Sequence, residues 1–447
     1  MRPDTERIDD ALRRAYTDLA ATVGAGEAGS GLPPGASDPA PLTPSVRRRA
    51  GWLIPISVAA AVVLIVLAAV VVPHALHSGS QRAPDLAGTP GMAYVATEQD
   101  TLIPVDLRTG IALPAIRLGL KGSIVGVVVT PDRKTLFVAS VRGQVTPVDL
   151  ATGQAGRPIL VGGISQAMVM TPDGRTAYLL EPPYGVAVLN LVADKPGRFI
   201  KVPDAFSFAL TPDGSTLYVA NQDGSRVTPV ATATGRPQRP IALQPRSWPY
   251  LAMSPDGRTV YVTGTPTGPG WATTESIMTP ISTRTDSAGK PIRLRRFSAA
   301  APITISPDGR TAYLSDDGSV VPVSLRTGTV GKALQLPSSP PSPYQVAVSP
   351  DTRMIYASNG EVGEIYRIDA ADGAPLAPVR VGAAGQWAPS PALFGNGGKT
   401  LYVLSYNEQQ TSQMIYLGLL TPVDNATGKA GKSIRLRGVP ASITFGS

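Results

Sequence analysis

Cysteine is absent from the 447 residues, which excludes disulfides, thiolate metal sites and cysteine nucleophiles. Histidine is nearly absent. The only two, His74 and His77, precede the repeats described below, so no Ser-His-Asp arrangement can be built within those repeats. Charge is sparse at 16%, and the net +8 comes from 40 Lys and Arg against 32 Asp and Glu. The basic residues gather only in small clusters such as Arg293, Arg295 and Arg296, without the stripe that a nucleic-acid binder displays, so no nucleic-acid partner is expected. What is abundant is Gly (46) and Pro (45), and both recur at fixed places beside short apolar runs. That is turn chemistry repeated along the chain rather than low complexity.

A charge-free run, Trp52 to Val72, is rich in Ala, Val, Leu and Ile. As a helix rising about 1.5 Å per residue it would span about 30 Å, the thickness of a bilayer core. Arg47, Arg48 and Arg49 precede it directly, whereas His74, His77 and Arg82 follow it, so the positive-inside rule puts the N-terminus in the cytoplasm. The expected layout is a cytoplasmic tail over 1–50, a transmembrane helix over 51–73, a flexible tether over 74–91 and a repeat domain over 92–447 outside the cytoplasm. A cleaved signal peptide is the competing reading, but the leader is long and no A-x-A site follows the apolar run. Within the tail, residues 4–22 place Ile8, Leu12, Ala15 and Leu19 at helical spacing, and 24–46 read as a Gly/Pro/Ser/Ala linker. The short helix either docks a cytoplasmic partner, which would let the protein signal, or merely leads the anchor.

After the tether one phrase recurs: an apolar run, Ser/Thr-Pro-Asp-Gly-x-Thr, then an apolar run containing Tyr. It reads TPDRKTLFVAS at 130–140, TPDGRTAYLLE at 171–181, TPDGSTLYVAN at 211–221, SPDGRTVYVTG at 254–264, SPDGRTAYLSD at 306–316 and SPDTRMIYASN at 349–359. Pro presets φ near −65°, Asp bonds its own backbone and Gly accepts positive φ, so each copy predicts a type I turn with a bulge joining two antiparallel strands. A third strand follows (VTPVDL at 145–150, VVPVSL at 320–325) and then a fourth (PILVG at 158–162, IRLR at 292–295), which makes a four-stranded blade.

The segments TLYVAN and TVYVTG resemble the signature of the YVTN-repeat β-propeller family, whose bacterial, WD-repeat-like propellers include cell-surface proteins, quinoprotein subunits and lactonases. The resemblance covers about 92–447 and implies an all-β propeller; it implies little about function. Seven hairpins are visible, the last with GNGGKT at 395–400. Before them lies a unit of three strands (MAYVAT, TLIPVDL, ALPAIRL), and after them an orphan strand, PASITF at 440–445. Joined, these make an eighth blade and close the ring without open edges. The expectation is thus an eight-bladed propeller of four-stranded antiparallel blades, with seven blades as the alternative.

Strand alternation puts the Pro-Asp-Gly turns on one face and the irregular loops on the other: 181–185, 244–249, 264–276, 336–343, 382–390 and 405–413. Trp248, Trp271 and Trp387 all fall on the irregular face, with Tyr184, Tyr344, Tyr406, Phe297, Arg246, Arg295 and Arg296 nearby. These residue types dominate binding hot spots, although each Trp could equally plug a blade junction. The function expected is therefore a membrane-anchored scaffold that binds a protein or cell-envelope ligand, with no cofactor. The alternative is a lactonase-like or metal-dependent enzyme using carboxylates such as Glu181, Asp223, Asp316 or Asp317, the Asp-Gly members of which also read simply as hairpin residues.

Overall fold

The repeated turn folds because each of its residues satisfies the next. In 171–176 the Thr171 hydroxyl donates to Asp173 Oδ1 at 2.6 Å and accepts the Thr176 amide at 3.1 Å, while Asp173 also accepts the Arg175 amide. The same set recurs at Thr130, Ser254, Ser306 and Ser349. Hydrogen bonding from the Thr hydroxyl holds the Asp132, Asp173 and Asp213 carboxyls below the usual carboxylate range. Gly174 sits at φ 69°, and a Cβ there would lie 2.4 Å from Pro131 in the preceding copy; the prolines of other copies likewise pack against Gly214, Gly257, Gly309 and Gly398, whereas Thr352 takes the glycine position at φ 62°. Arg133 occupies the glycine position of the first copy at φ 60°, where no earlier Pro-Asp-Gly turn exists to pack against it.

A computed structural model of the chain describes residues 91–244, 246–266, 275–295, 302–316, 318–336, 345–358, 363–381, 388–409 and 415–445. The expected cytoplasmic helix, membrane span and tether lie outside these residues. Among the described residues no helix is long and apolar enough to cross a membrane.

The strands form eight antiparallel sheets, each built as four consecutive positions, a to d, from inside outward. Blade two is typical, with a at Ile124–Val129, b at Thr135–Ser140, c at Gln144–Asp149 and d in two pieces, Gln154–Ala155 and Ile159–Leu160. Blade one takes its b, c and d strands from the first repeat, starting at Met92–Thr97, and its a strand from the C-terminal Pro440–Phe445. Ile443 lies opposite Val95 and Phe445 opposite Ala93. The ring is closed as the orphan strand predicted, with eight blades rather than seven.

Strand b carries an aromatic at its third position in every blade: Tyr94, Phe137, Tyr178, Tyr218, Tyr261, Tyr313, Tyr356 and Tyr402, all buried. Six of these face a proline on strand c, such as Tyr94 on Pro104 and Tyr402 on Pro422. In an antiparallel strand a residue's N–H and C=O point the same way, so the prolines whose carbonyls accept from strand d also withhold a donor from it. Strand d breaks there. In blade seven Arg367 replaces the proline, and strand d runs unbroken over Pro375–Arg380. Blade three breaks opposite Val188 as well, so proline is sufficient but not required.

The apolar side chains assemble eight separate cores, one at each junction between neighbouring blades. This explains strands that are apolar on both faces, since each sheet is covered on either side. Two junctions add polar ties. Tyr218 donates to Asp286 of blade five at 2.7 Å, and its own hydroxyl is pushed far above its ordinary range by burial and by that carboxylate. Buried Arg367 of blade seven reaches the Thr427 and Asn425 carbonyls of blade eight, beside the Tyr356–Asn425 hydrogen bond of 2.8 Å.

Candidate ligand-binding face

Turns a–b and c–d share one face of the ring, and b–c turns with the d–a connections form the other. On this second face most b strands stop after five or six residues, but in blades five and eight they continue, as Thr259–Pro266 and Thr400–Gln409. Their partners lengthen with them: Arg246–Met253 and Glu275–Ser282 in blade five, Ala388–Gly395 and Ile415–Asp424 in blade eight. Two raised hairpins therefore stand above the ring. This corrects the expectation that 244–249, 264–276, 382–390 and 405–413 are wholly loops, because part of each extends a strand. Hydrophobic alternation fades in these polar stretches, which is why the extension is hidden in the sequence.

The predicted site residues distribute over blades three, five and eight. Arg246 and Trp248 belong to strand a of blade five, where a bulge between Ser247 and Tyr250 interrupts the register. Arg295 ends strand d of the same blade, opposite Glu275. Tyr406 lies in strand b of blade eight between Ala388 and Gly418, half-buried. Tyr184 is 71% exposed at the b–c turn of blade three. Its carbonyl accepts the Val202 amide, so the turn is fixed by its own d–a connection. Trp271, Trp387, Tyr344, Phe297 and Arg296 lie outside the described residues.

Beneath this face the sixth residue of strand b is polar and buried in several blades: Thr97, Ser140, Glu181, Asn221 and Ser405. Asn221 accepts the Arg226 amide at 2.9 Å and donates to Asp223, which also accepts the Ser225 amide. Hydrogen bonds from Ser225 hold Asp223 below the usual carboxylate range, and its role is to knit the turn. Asp316 pairs with Ser319 across a strand turn, and Asp317 lies outside the described residues. Among the described residues no group of three or more His, Asp or Glu is placed to hold a metal ion.

Glu181 is different. Only 4% of it is exposed, and its Oε1 has no hydrogen-bond partner. Burial raises its carboxyl above the usual range, opposed in part by the neighbouring Gly163 amide and Ser165 hydroxyl. It fits because residue 162 is glycine, where a Cβ would fall 1.7 Å from Oε1. It closes a TAYLLE strand at a position where the other copies carry Ser, Thr or Asn, apart from Gly264 in blade five and Asp316 in blade six. A partly open cleft of about 10 Å³ beside Gln345 and Ser358, between blades seven and eight, is lined mostly by apolar side chains such as Val346, Ile365 and Ala392.

The fold defines the chain as an eight-bladed β-propeller. No family model matches it, and no curated protein does. Among solved structures it is similar to hydrazine synthase of Kuenenia stuttgartiensis, with a TM-score of 0.52 and 19% identity over 69% of this chain and 98% of that one. It is also similar to the dihydro-heme d1 dehydrogenase NirN in complex with DHE, with a TM-score of 0.63 and 16% identity over 83% of this chain and 78% of that one. At such identities the likeness is one of fold.

Proposed function

We propose that the chain is a membrane-anchored, extracytoplasmic propeller of the YVTN-repeat type that binds a protein or cell-envelope ligand on its irregular second face. One observation carries this reading. Strand b of blade one begins at Met92 beside Phe445, so both strand ends lie on the regular face, and the raised face carries neither of them. A variable, raised face that carries neither end of the ring is free to meet a ligand. The 21-residue apolar run and the arginines before it support the anchor, and exposed Tyr184 supports recognition.

The test captures envelope ligands with the full-length protein and compares Tyr184→Ala and Trp248→Ala with the regular-face change Arg310→Ala. The second-face changes should each weaken capture by about 2 kcal/mol, roughly thirtyfold, with the fold intact. Equal weakening by the regular-face change would overturn the assignment. A propeller enzyme is the second reading, favoured by the buried Glu181 carboxyl, a group of the kind an acid–base site employs.

A further inference from the structure

We propose that Asn396, in the turn between strands a and b of blade eight, is a self-modifying site: its side-chain amide condenses with the backbone of Gly397, releases ammonia, and the ring so formed opens to aspartate and isoaspartate. Elsewhere the equivalent turn is held shut. The opening hydroxyl binds the aspartate, and the amide after that aspartate donates to the opening carbonyl, as Gly174 N–H does to Thr171 O at 2.9 Å. The same amide bond closes the turn at Arg133, Gly214, Gly257, Gly309 and Thr352.

Blade eight lacks both restraints. Phe394 stands where the other turns open on Ser or Thr, so no hydroxyl is there to hold the side chain that follows. Among the described residues the Asn396 side chain makes no hydrogen bond, and no bond ties the Gly397 amide to Phe394. Both residues are exposed, and a Cβ on Gly397 would meet nothing within 4 Å. The other asparagines differ. Asn190 Oδ1 accepts the Val192 and Ala193 amides, Asn221 is bonded within its turn, and Asn425 Oδ1 accepts the Tyr356 hydroxyl. None of these, nor Asn407, precedes glycine; Asn359, which does, lies outside the described residues.

The chemistry needs only water and hydroxide. Hydroxide takes the Gly397 amide proton, and the nitrogen attacks Asn396 Cγ. The new C–N bond forms as the Cγ–Nδ2 bond breaks, and the departing nitrogen takes a proton from water to leave as ammonia. Water then adds to one of the two ring carbonyls, giving aspartate at one and isoaspartate, with a main chain one carbon longer, at the other. Glycine matters because a side chain on the attacking residue would crowd the ring. The flanks of the turn are tight. A Cβ on Gly395 would lie 2.9 Å from Tyr402, and one on Gly398 would lie 2.8 Å from Pro350 of blade seven. A main chain lengthened between them must shift one of these contacts, so the isoaspartate form loosens blade eight.

The experiment ages full-length protein in neutral detergent in mildly alkaline buffer, with a mildly acid arm and an arm unfolded in guanidinium. Mass spectrometry follows the tryptic peptide 381–399 and separates aspartate from isoaspartate. Folded Asn396 should gain one mass unit, yield both products, react faster in the alkaline arm and convert within about threefold of its unfolded rate, because local opening there costs almost nothing. Asp173, Asp213, Asp256 and Asp308, each before glycine but tied, should isomerise at least about tenfold more slowly folded than unfolded. Gly397→Ala should slow conversion about tenfold, with a melting curve to show that it folds. The folded-to-unfolded ratio is read on wild type and needs no variant to fold. Aged wild type should melt about 2 °C or more below fresh protein, and Asn396→Gln should keep its melting temperature on ageing. Protection of folded Asn396 by about tenfold or more against the unfolded chain would overturn the proposal. So would a product that is aspartate alone, which direct hydrolysis without the ring would give, or conversion in folded Gly397→Ala as fast as in wild type. Conversion without a fall in melting temperature would overturn the loosening of blade eight.

Discussion

Ring closure by the C-terminal strand makes a quantitative demand on Ile443. Its side chain is 3% exposed in the junction between blades eight and one, packed with Val95, Ile103, Leu404 and Leu420. Truncation to Ala removes buried methyl and methylene groups and leaves a cavity, at a cost of about 2–5 kcal/mol. Unfolding about 350 residues carries an entropy near 0.75 kcal/mol per degree, so a 3 kcal/mol loss lowers the melting temperature by about 4 °C. Removing residues 439–447 should do far more. It strips Ile443 and Phe445, the latter edge-on to Tyr402 at 5.4 Å, and removes the inner partner of strand b of blade one. Those losses, at about 3–5 kcal/mol for the aromatic alone, approach the 5–15 kcal/mol by which domains are stable, so the closed ring should not survive. Scanning calorimetry of full-length, Ile443→Ala and truncated proteins checks the series. A truncated protein that melts at the wild-type temperature would refute terminal closure, and an unchanged Ile443→Ala would refute the packing assigned to this strand.

Gly174→Ala should lose about 1–3 kcal/mol, because it forces a Cβ onto Pro131 at φ 69°, whereas Arg133→Gly should gain up to about 1 kcal/mol by relieving a non-glycine residue at φ 60°; urea titration measures both. Glu181 titrates above its ordinary range in the folded state, so its burial opposes folding at neutral pH and ceases to do so as pH falls toward the ordinary carboxylate value. Glu181→Gln should therefore melt higher than wild type at pH 7 by a margin that shrinks by pH 5, and a variant less stable at pH 7 would contradict this account.

The propeller was legible because its information is local and repeated. Each Thr-Pro-Asp-Gly copy specifies its own hairpin, and an orphan PASITF with no partner in its own repeat had to pair with the one unit lacking a first strand. The raised hairpins were not legible, since Tyr406 to Gln409 read as a polar loop and become strand only because Ile415–Asp424 lies across from them. In a propeller a surface property with the period of the blade becomes continuous only after closure, and closure here depends on residues 440–445, so the face on which the raised hairpins stand is assembled by the same C-terminal strand that completes blade one.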